Sequence, residues 1–501
     1  MSMNVILVID TGTSSMRGIL FDKCASLRFT HRVTYAMTLG PCGAATMEAA
    51  VFADGLREIA RACADFAQSE GLHITAISFT SQRSSVAAIG QDGSVLSPFY
   101  MWYDKRSCAL CAEHIAQHGE TLYALCGMSL TPVSSAPKMQ WLKNTALDVY
   151  KNAYKLMGIH DYLLYLTCGR FVTDASLGCR TALMDIRNFC WSGELLAMFG
   201  LDEDKLCELV APGSIIGSLS DAFARATGLP CGIPIISAGG DQQCGALGQG
   251  LYQEGTININ TGTASYLSAV VTSPVLDPKR QVNLNTSCYG GRWLLEAGNT
   301  GSGILYQWFN KAFFTLDPAN TCCTDMDKAV RTVPAGCDGL LCVTDFAGRG
   351  CPNTNPDAKG IFANIGLDMG RAHFARAVLE GICFDICEAF AHLSTLCAEN
   401  HIIQSSGGLT NFSEFNTILA DVLGREIIVT HQAEATALGA LILAQIALGQ
   451  VCDPADFFAA NPQGSGDIYR PDAERHAMYQ TMYRQRLHLK EQVSPSIFTQ
   501  K

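Results

Sequence analysis

The alternation of apolar and polar positions predicts two strand–turn–strand units that lie far apart in the chain. Val5 to Asp10 is an apolar, β-branched run with a polar last position, and Thr11-Gly12-Thr13-Ser14-Ser15 follows it. Thr256 to Asn260 has the same character and is followed by Thr261-Gly262-Thr263-Ala264-Ser265. Because a second apolar run comes after each Thr-Gly-Thr phrase, each unit is predicted to be a β-hairpin with a tight turn.

A tight Thr-Gly-Thr turn has a chemical use. It presents backbone N–H groups and hydroxyls on a concave surface, and its glycine lets a phosphate approach closely. One such phrase also occurs in plain hairpins. Two copies about half a chain apart, each opening an α/β stretch, instead predict a duplicated fold with two facing phosphate loops.

Strands alternate with helices between and after the two hairpins. Ile233 to Ala238 is a short apolar strand followed by Gly-Gly-Asp and a helix of small residues. Ile402 to Ser405 is followed by two glycines and a helix from about Phe412 to Leu423. This order directs helix N-terminal N–H groups at a ligand. We therefore predict an α/β fold in two lobes, with a boundary near Gly250.

Four further elements complete the predicted pattern. They are strands at Ile74 to Thr80 and Ser85 to Gly90, a buried helix at Ala435 to Gly449 and a surface helix at Asp472 to Gln492. The apolar helix is shorter than the roughly 20 residues that a membrane span needs, so we expect no membrane partner. The first residues lack the basic segment of a secretory signal, and we predict a cytoplasmic location.

The composition is that of a well-packed globular enzyme. The chain has 501 residues, of which 48% are hydrophobic and 16% charged, and it is too long for one compact core. The formal net charge is −11 and no run of Lys or Arg occurs, which argues against nucleic acid as a partner. If the substrate is a phosphate ester, its negative charge must be balanced locally, by backbone N–H groups and a metal ion.

The chain contains 22 cysteines. Because it is long and has no export signal, we predict reduced thiols instead of a disulfide scaffold. Cys108, Cys111 and His114 have a spacing that suggests metal ligands. A zinc site needs a second pair at suitable spacing, so ordinary helix packing is the favoured interpretation.

An ordered set of short motifs resembles the FGGY family of carbohydrate kinases over nearly the whole chain. The resemblance implies a duplicated actin-like (ribonuclease H-like) ATPase fold, with two lobes and a cleft between them. It also implies that ATP, with Mg²⁺, phosphorylates a hydroxyl of a small sugar, polyol or sugar acid. The motifs are Asp10-Thr11-Gly12-Thr13-Ser14-Ser15-Met16-Arg17, Ser81-Gln82-Arg83, Trp102-Tyr103-Asp104-Lys105-Arg106, Thr173-Asp174-Ala175-Ser176 with Arg180-Thr181, Gly239-Gly240-Asp241-Gln242-Gln243, Thr261-Gly262-Thr263, Gly407-Gly408-Leu409 and Glu434-Ala435-Thr436-Ala437-Leu438-Gly439-Ala440.

The same resemblance divides the chain. Residues 1–250 are expected to form an N-terminal domain that binds the sugar and carries the catalytic base. Residues 251–452 are expected to form a C-terminal, nucleotide-binding domain, and residues 453–501 a helical extension. The expected partner is a small sugar or polyol, and the resemblance is compatible with a homodimer.

Two aspartates are the candidates for the chemical step. Asp241 follows two glycines and precedes a helix, so its carboxylate could take a proton from an acceptor hydroxyl or could cap the helix that begins near Gln242. The resemblance implies the first role, that of a general base. Asp10 ends the first strand beside the phosphate loop. The resemblance makes it a Mg²⁺ ligand, direct or through water, and the alternative is an Asp that initiates a turn.

The resemblance also implies three groups of binding residues. Gly12, Thr13, Ser14 and Arg17 would contact the transferred phosphoryl group, although Arg17 could equally be a solvated charge at a strand end. Thr261, Gly262 and Thr263 would grip the nucleotide phosphates. The adenosine side would consist of Gly303, Gln307, Gly407, Gly408 and Asn411, although Gly303 could belong to a simple helix start.

The acceptor is expected to be bound by five side chains: Gln82, Arg83, Trp102, Asp104 and Gln242. Amide, guanidinium and carboxylate groups suit sugars because each hydroxyl both donates and accepts hydrogen bonds. The face of Trp102 could stack on the carbon skeleton. Alternatively, Trp102 is a core residue and Asp104 forms a local ion pair with Arg106.

Two positions depart from the family's glycerol-phosphorylating members. Ser84 and Val133 stand where those members carry a Glu and a Tyr, so we expect glycerol to be a poor acceptor. The non-enzymatic alternative is an ATP-binding sensor or chaperone-type ATPase with the same fold. Such a protein would not need Asp241 together with Gln82, Arg83 and Asp104.

Overall fold

The computed structural model describes residues 3–299, 301–315, 322–398, 401–432, 434–462 and 466–492. Helices and strands alternate throughout, which confirms the predicted α/β class. The strands are β1 (Met3–Thr11), β2 (Ser15–Asp22), β3 (Leu27–Thr34), β4 (Thr38–Leu39), β5 (Ala45–Met47), β6 (Leu72–Ser81), β7 (Ala87–Ile89), β8 (Phe99–Tyr100), β9 (Lys155–Met157), β10 (Val172–Asp174), β11 (Met184–Asp185), β12 (Cys190–Trp191), β13 (Glu208–Val210), β14 (Ser214–Ser218), β15 (Pro234–Gly240), β16 (Thr256–Thr261), β17 (Ser265–Val271), β18 (Asn283–Thr286), β19 (Trp293–Asn299), β20 (Leu341–Val343), β21 (Ile361–Ala363), β22 (Ile402–Ser406), β23 (Ile427–Val429) and β24 (Asp467–Tyr469).

The described residues form sixteen α-helices. They are α1 (Ala49–Ser69), α2 (Cys108–Cys126), α3 (Ser135–Thr145), α4 (Leu147–Asn152), α5 (Ile159–Cys168), α6 (Ala175–Gly178), α7 (Gly193–Phe199), α8 (Asp221–Thr227), α9 (Asp241–Gly248), α10 (Gly303–Phe313), α11 (Thr324–Arg331), α12 (Arg371–Ser394), α13 (Ser413–Leu423), α14 (Ala435–Ala447), α15 (Pro454–Ala460) and α16 (Ala473–Gln492).

Both Thr-Gly-Thr phrases form the predicted hairpins. β1 pairs antiparallel with β2, and β16 pairs antiparallel with β17. In the described residues the first sheet has the strand order β14-β15-β6-β1-β2-β3, and the second has the order β18-β19-β17-β16-β22-β23-β24. In the first sheet the pairs β1–β2 and β2–β3 are antiparallel, and the pairs β1–β6 and β6–β15 are parallel. In the second sheet the corresponding antiparallel pairs are β16–β17 and β17–β19, and the corresponding parallel pairs are β16–β22 and β22–β23. The same connectivity therefore occurs twice, as the repeated phrase predicted.

The apolar run in β1 explains its central place in the first sheet. Val5, Leu7 and Ile9 are buried in a cluster that contains residues of α1. Ile6 and Val8 point to the other face and are buried with residues of α14. A strand that is covered on both faces needs apolar side chains at successive positions, not at alternate ones.

Most of the other predicted elements are present. The strand predicted from Ile74 is β6, the one from Ile233 is β15, and the one from Ile402 is β22. The strand predicted from Ser85 is the short β7. The helices expected after residue 412 and after residue 435 are α13 and α14.

Helix α14 crosses from the second half of the chain to the first sheet. It follows β23 of the second sheet, yet Leu438 and Leu441 are buried against Ile6 and Val8. The hydroxyl of Ser78 in β6 donates to a carbonyl of this helix at 2.8 Å. The expected unit of residues 251–452 is therefore divided in space, because its last helix completes the core of the first half.

The predicted surface helix near the C-terminus is α16, and one of its faces is buried. The guanidinium of Arg486 is fully buried and pairs with Asp385, and Lys490 donates to Glu388 at 2.6 Å. Upstream, β24 pairs antiparallel with β23. The described residues of the expected helical extension, 453–462 and 466–492, thus add a strand and a buried helix face to the second half. The polar sequence of this helix predicted an exposed surface, because it does not show which charged side chains are buried and paired.

Cysteines of the described core, such as Cys63, Cys244 and Cys383, are buried free thiols. His114 belongs to α2, where its Nε2 lies 2.8 Å from Gln140 Oε1 and its ring packs against Phe199. The described residues contain no group of three or more His, Cys, Asp or Glu side chains placed to hold a metal ion. None of the described helices combines the length and apolar character that crossing a membrane requires.

Candidate active site

The first hairpin holds two of the predicted residues in direct contact. Asp10 and Arg17 are cross-strand partners in the β1–β2 register, and Arg17 Nη2 donates to Asp10 Oδ2 at 2.5 Å. The turn is closed by the backbone N–H of Gly12, which donates to Ser15 O at 2.9 Å. Arg17 Nη1 also donates to Glu434 Oε1 at 3.0 Å. The guanidinium is therefore held between two carboxylates, one from each half of the chain.

Asp241 lies where β15 ends and α9 begins. Gly240 caps the helix and Asp241 is its first residue, so the carboxylate is not the N-cap. One oxygen accepts from the adjacent backbone N–H of Gln242 at 2.8 Å, and Arg83 Nε lies 3.7 Å from the same oxygen. A side chain at Gly240 would clash with Arg83, because an added Cβ would lie 2.9 Å from Arg83 Cδ. The glycine thus lets the guanidinium approach the carboxylate.

The surroundings of Asp241 make its carboxyl group a weaker acid. Burial raises its pKa to about 6, and the nearby carboxylates of Asp10 and Glu296 act in the same direction. The cation of Arg83 and the N–H of Gln242 oppose this shift. A carboxylate with this pKa is ionised near neutral pH but takes up a proton more readily than an ordinary one.

Asp241 faces a central cavity of about 560 Å³ that both halves of the chain line. Residues of the first half reach it from β2 and α9, and residues of the second half from β16, β17 and the segments after β22 and β23. We call it the central cavity. Its lining includes Arg17, Asp241, Gln242, Asn258, Tyr266, Gly407, Asn411 and Glu434.

Four of the predicted acceptor residues lie around the first hairpin and Asp241. Gln82 Nε2 donates to the carbonyl of Gly12 at 3.0 Å. The indole N–H of Trp102 donates to Thr13 Oγ1 at 3.0 Å. Arg83 lies beside Asp241, as described above, and Gln242 lines the central cavity. Thus Gln82, Arg83, Trp102 and Gln242 are brought together.

Asp104 has a different environment. It is buried, accepts from the backbone N–H of Ala45 at 3.0 Å, and pairs with Arg106 Nη2 at 2.6 Å. The Arg106 guanidinium in turn packs over the ring of Trp141. The ion pair with Arg106, which is the alternative considered from the sequence, is the arrangement observed. A direct contact between Asp104 and an acceptor would have to displace Arg106.

The predicted nucleotide residues converge on a lateral cavity of about 430 Å³ in the second half. Apolar side chains of Tyr306, Leu409 and Phe412 form part of its wall. Asn411 lines both this lateral cavity and the central cavity, so the two adjoin. Seven predicted residues line the lateral cavity: Thr261, Gly262, Thr263, Gly303, Gln307, Gly408 and Asn411.

Close backbone contacts explain two of the glycines. The N–H of Gly303 donates to Gly262 O at 3.1 Å, and a Cβ on Gly303 would lie 2.4 Å from that oxygen. Gly407 has a φ of +100°, and a Cβ there would lie 2.7 Å from Thr261 O. Both glycines therefore allow the second Thr-Gly-Thr turn to pack against its neighbours.

Some predicted residues do not line these cavities, and several lining residues were not predicted. Gly12, Thr13 and Ser14 lie on the first hairpin but line neither cavity. Glu434 lines the central cavity, and Gln243 Oε1 accepts from Arg83 Nη1 at 3.3 Å. Both stand within the quoted motifs, which was a signal that could have identified them. No motif marks Glu296, whose carboxylate reaches within 3.8 Å of Arg83 Nη2 from β19.

Comparison with known proteins gives a consistent result. Residues 5–248 match the N-terminal domain of the FGGY family of carbohydrate kinases, and residues 257–448 match its C-terminal domain. The chain is 26% identical over 483 residues to a gluconokinase of Bacillus subtilis (strain 168), covering 93% of this chain and 91% of that protein. It is 29% identical over 464 residues to a glycerol kinase of Rhodospirillum centenum, covering 90% and 91%. The solved structure of ligand-bound xylulose kinase from Lactobacillus acidophilus has the same fold, with a TM-score of 0.91, 23% identity and coverage of 99% and 100%.

Proposed function

The chain belongs to the FGGY family of carbohydrate kinases, and we propose that it phosphorylates a hydroxyl of a small sugar, polyol or sugar acid with Asp241 as the general base. Kinases of this family use ATP as the phosphate donor, so the reaction class follows from membership. The alternative of an ATP-binding sensor or chaperone-type ATPase is set aside, because both family models describe carbohydrate kinases. The proposal concerns the acceptor and the roles of individual residues.

The environment of Asp241 is the observation that carries the proposal. Its carboxylate lines the central cavity and is 27% exposed, with Arg83 Nε 3.7 Å away and a pKa raised to about 6. In-line phosphoryl transfer needs the attacking hydroxyl oriented and its proton accepted as the new P–O bond forms. Asp241 would accept that proton, while Arg83 would hold the carboxylate and the acceptor in one orientation.

The two hairpin turns support the phosphate side of the proposal. Thr261, Gly262 and Thr263 would direct backbone N–H groups and hydroxyls at the nucleotide phosphates from the lateral cavity. Arg17 faces the central cavity and would neutralise charge on the transferred phosphoryl group once it leaves its present carboxylate partners. Gly12, Thr13 and Ser14 would complete this contact from the first hairpin.

Asp10 is the residue we propose for Mg²⁺. Its carboxylate is a hard oxygen ligand beside the first hairpin, and one such ligand suits Mg²⁺, which keeps several waters and binds phosphate oxygens. This oxygen already accepts from the cationic guanidinium of Arg17, and that contact supports a cation at this position. Bound there, Mg²⁺ would neutralise charge on the phosphate oxygens.

The acceptor is proposed from the cavity and from the relatives. The amide and guanidinium groups of Gln82, Arg83 and Gln242 would contact several hydroxyls, and Trp102, whose N–H is bonded to Thr13, would offer its ring face. Asp104 would contribute only indirectly, through Arg106. The relatives named above are a gluconokinase, a glycerol kinase and a xylulose kinase. Ser84 and Val133 offer fewer polar contacts to a triol than Glu and Tyr would, so we propose a longer acceptor than glycerol.

A coupled ADP-release assay tests the proposal. The panel contains pentoses, pentuloses, tetritols, hexonates and glycerol, each with and without the enzyme, and Asp241→Asn serves as the inactive reference. We expect ADP release with at least one four- to six-carbon acceptor and poor release with glycerol. Ser84→Glu is expected to improve glycerol relative to wild type. If glycerol is the best acceptor, the argument from Ser84 and Val133 is wrong, while the kinase assignment remains.

Two further features stay predictions. Light scattering after size-exclusion chromatography measures whether the chain forms a homodimer. Cell fractionation measures whether it is cytoplasmic.

A further inference from the structure

The first Thr-Gly-Thr turn uses its carbonyl groups and its N–H groups unequally. The carbonyl oxygens of Thr11, Gly12, Ser14 and Ser15 all accept hydrogen bonds from elsewhere in the protein or from within the turn. Among the described residues, the backbone N–H groups of Thr13 and Ser14 donate to no acceptor. The turn therefore occupies its acceptors and keeps donors free, which is the arrangement that suits an anion.

Tyr35 holds this arrangement from outside the turn. It follows β3, its backbone N–H donates to Ser14 O at 3.0 Å, and its hydroxyl donates to Gly12 O at 2.7 Å. Gln82 Nε2 donates to the same carbonyl of Gly12 at 3.0 Å. A carbonyl oxygen has two lone pairs, so this one is fully engaged. Tyr35 belongs to none of the motifs quoted above.

The Gly12 carbonyl determines the direction of the N–H group that follows it. The Gly12–Thr13 peptide is trans, and in a trans peptide the C=O and N–H bonds point in opposite directions. The Thr13 N–H therefore points away from Tyr35 and Gln82. Rotation of this peptide would break two hydrogen bonds and would turn its oxygen toward a bound phosphate.

The side chain of Thr13 is fixed as well. Trp102 Nε1 donates to Thr13 Oγ1 at 3.0 Å. A hydroxyl oxygen that accepts one hydrogen bond keeps its own proton free to donate. Both the N–H and the O–H of Thr13 thus remain available as donors, and anionic phosphoryl oxygens are strong acceptors for such groups.

The second Thr-Gly-Thr turn holds the corresponding carbonyl by other means. Gly262 O accepts from the N–H of Gly303 at 3.1 Å, and Thr263 O accepts from the N–H of Ile304 at 3.1 Å. These donors belong to the start of α10, whereas the first turn uses the side chains of Tyr35 and Gln82. The paired glycine carbonyl is therefore common to both turns although its partners differ.

Tyr35 is placed to act through the turn and not by contact with a substrate. It lines neither the central nor the lateral cavity. Its ring packs edge-on against Phe52, with the ring centroids 5.4 Å apart, and this contact helps to aim the hydroxyl. Burial, together with the nearby carboxylate of Asp10, raises the pKa of the Tyr35 hydroxyl above its ordinary value, so it stays a donor.

We propose that Tyr35 is a positioning residue for phosphoryl transfer, because its hydroxyl holds the Gly12–Thr13 peptide so that the Thr13 N–H and O–H meet the transferred group. This inference rests on the proposed function, in which the first hairpin contacts that group. The nucleotide and the acceptor have their own binding residues. Loss of the Tyr35 hydroxyl therefore slows transfer without weakening the binding of either substrate.

Tyr35→Phe tests this role because it removes the hydroxyl and keeps the ring against Phe52. Removing a donor that directly faces a developing charge lowers kcat by roughly 10²–10³. Tyr35 acts through a peptide that Gln82 still holds, so we expect a smaller loss of kcat, about tenfold. The KM for ATP and the KM for the acceptor are each expected to stay within about threefold of wild type.

Tyr123→Phe is the matched control. The Tyr123 hydroxyl also donates to a backbone carbonyl, that of Val282 at 2.6 Å, and Tyr123 lines neither cavity. This variant is expected to melt at a lower temperature than wild type but to keep its kcat. Equal losses of kcat in the two variants would reflect loosened packing and overturn the inference. So would a kcat of Tyr35→Phe within twofold of wild type, or a loss confined to the KM for the acceptor.

A binding measurement separates this inference from the proposed function. The melting temperature is recorded with ADP and Mg²⁺, and again after addition of aluminium fluoride, which mimics the phosphoryl group in transfer. We expect fluoride to stabilise wild type beyond ADP alone and to stabilise Tyr35→Phe much less, while ADP alone shifts both proteins equally. If no acceptor releases ADP, the proposed function has failed, and this measurement alone decides about Tyr35. Equal fluoride-dependent shifts in the two proteins, or no such shift in wild type, overturn the inference.

Discussion

Arg17 Nη1 donates a hydrogen bond to Glu434 Oε1 at 3.0 Å, although 417 positions separate the two residues in the chain. The same guanidinium donates to Asp10 within the first hairpin. One cation therefore joins the first phosphate turn to the segment that leads into α14. An incoming phosphoryl group carries the same kind of charge as these carboxylates, so Arg17 can exchange one partner for the other.

Arg17→Lys is expected to lower kcat at least tenfold while leaving the fold intact. Lysine keeps the charge, but it lacks the planar, forked set of donors that contacts two acceptors at once. Arg28→Lys is the matched control, because Arg28 also contacts a carboxylate through two nitrogens, that of Asp22, outside the cavities. Steady-state kinetics of both variants measure the difference, and equal losses would argue against a role for Arg17 in transfer.

Asp241→Asn is expected to reduce turnover by roughly 10²–10⁴, the usual contribution of general-base catalysis. Asparagine keeps the shape of the side chain but cannot accept the proton. ATP binding, followed by calorimetry, is expected to stay within a few-fold of wild type because Asp241 lies outside the lateral cavity. Asp221→Asn is the control, since Asp221 is also the first residue of a helix. Turnover of Asp241→Asn within a few-fold of wild type would remove Asp241 from the mechanism.

The pH dependence of kcat/KM is expected to follow the ionisation of Asp241. Its pKa is about 6, and only the ionised form accepts a proton, so activity rises with pH through about 6 and then levels off. Arg83→Met removes the cation that holds this pKa down, and the acidic limb is expected to move to higher pH. A limb that stays in place in the variant would show that another group titrates.

The raised pKa of Asp241 also lowers the stability of the folded protein at neutral pH. The pKa of Asp241 is raised above its value in the unfolded chain, so the folded state holds more protons and loses stability as pH rises from about 4 to 6. Asp241→Asn is therefore expected to melt at a higher temperature than wild type at pH 7 and to show little gain at pH 4. Thermal unfolding at the two pH values measures this. A gain of equal size at both would have a cause other than ionisation.

Gly303→Ala is expected to raise the KM for ATP at least tenfold and to leave the KM for the acceptor nearly unchanged. The added methyl group would lie 2.4 Å from Gly262 O and would displace the second Thr-Gly-Thr turn. Gly290→Ala is the control, because nothing lies within 4 Å of a Cβ at that position. A normal KM for ATP in Gly303→Ala would contradict the assignment of the lateral cavity to the nucleotide.

The sequence predicted those features that depend on local pattern. The two Thr-Gly-Thr phrases predicted both hairpins, because a tight turn between apolar runs has few other conformations. The convergence of Gly303 and Gln307 with the second turn was implied by the family motifs and is present in the lateral cavity.

Features that depend on contacts between distant residues could not be read from the pattern. Asp104 stands in a motif, but its burial against Ala45 and Arg106 depends on how β5 packs. Glu296 carries no motif, and it approaches Arg83 from β19 of the second sheet, whereas Arg83 follows β6 of the first. Arg486 looks like a solvated residue in the sequence, and only the fold supplies its buried carboxylate partner.

The crossing of α14 has a consequence for how the protein is made. Residues 435–447 are translated long after the first sheet has left the ribosome, yet they cover the face that Ile6 and Val8 present. Until then this apolar face lacks the cover of α14, and exposed apolar surface of this kind promotes aggregation of a nascent chain. A chain truncated before α14 would keep that face open. The part of the protein that is synthesised first is thus among the last to be completed.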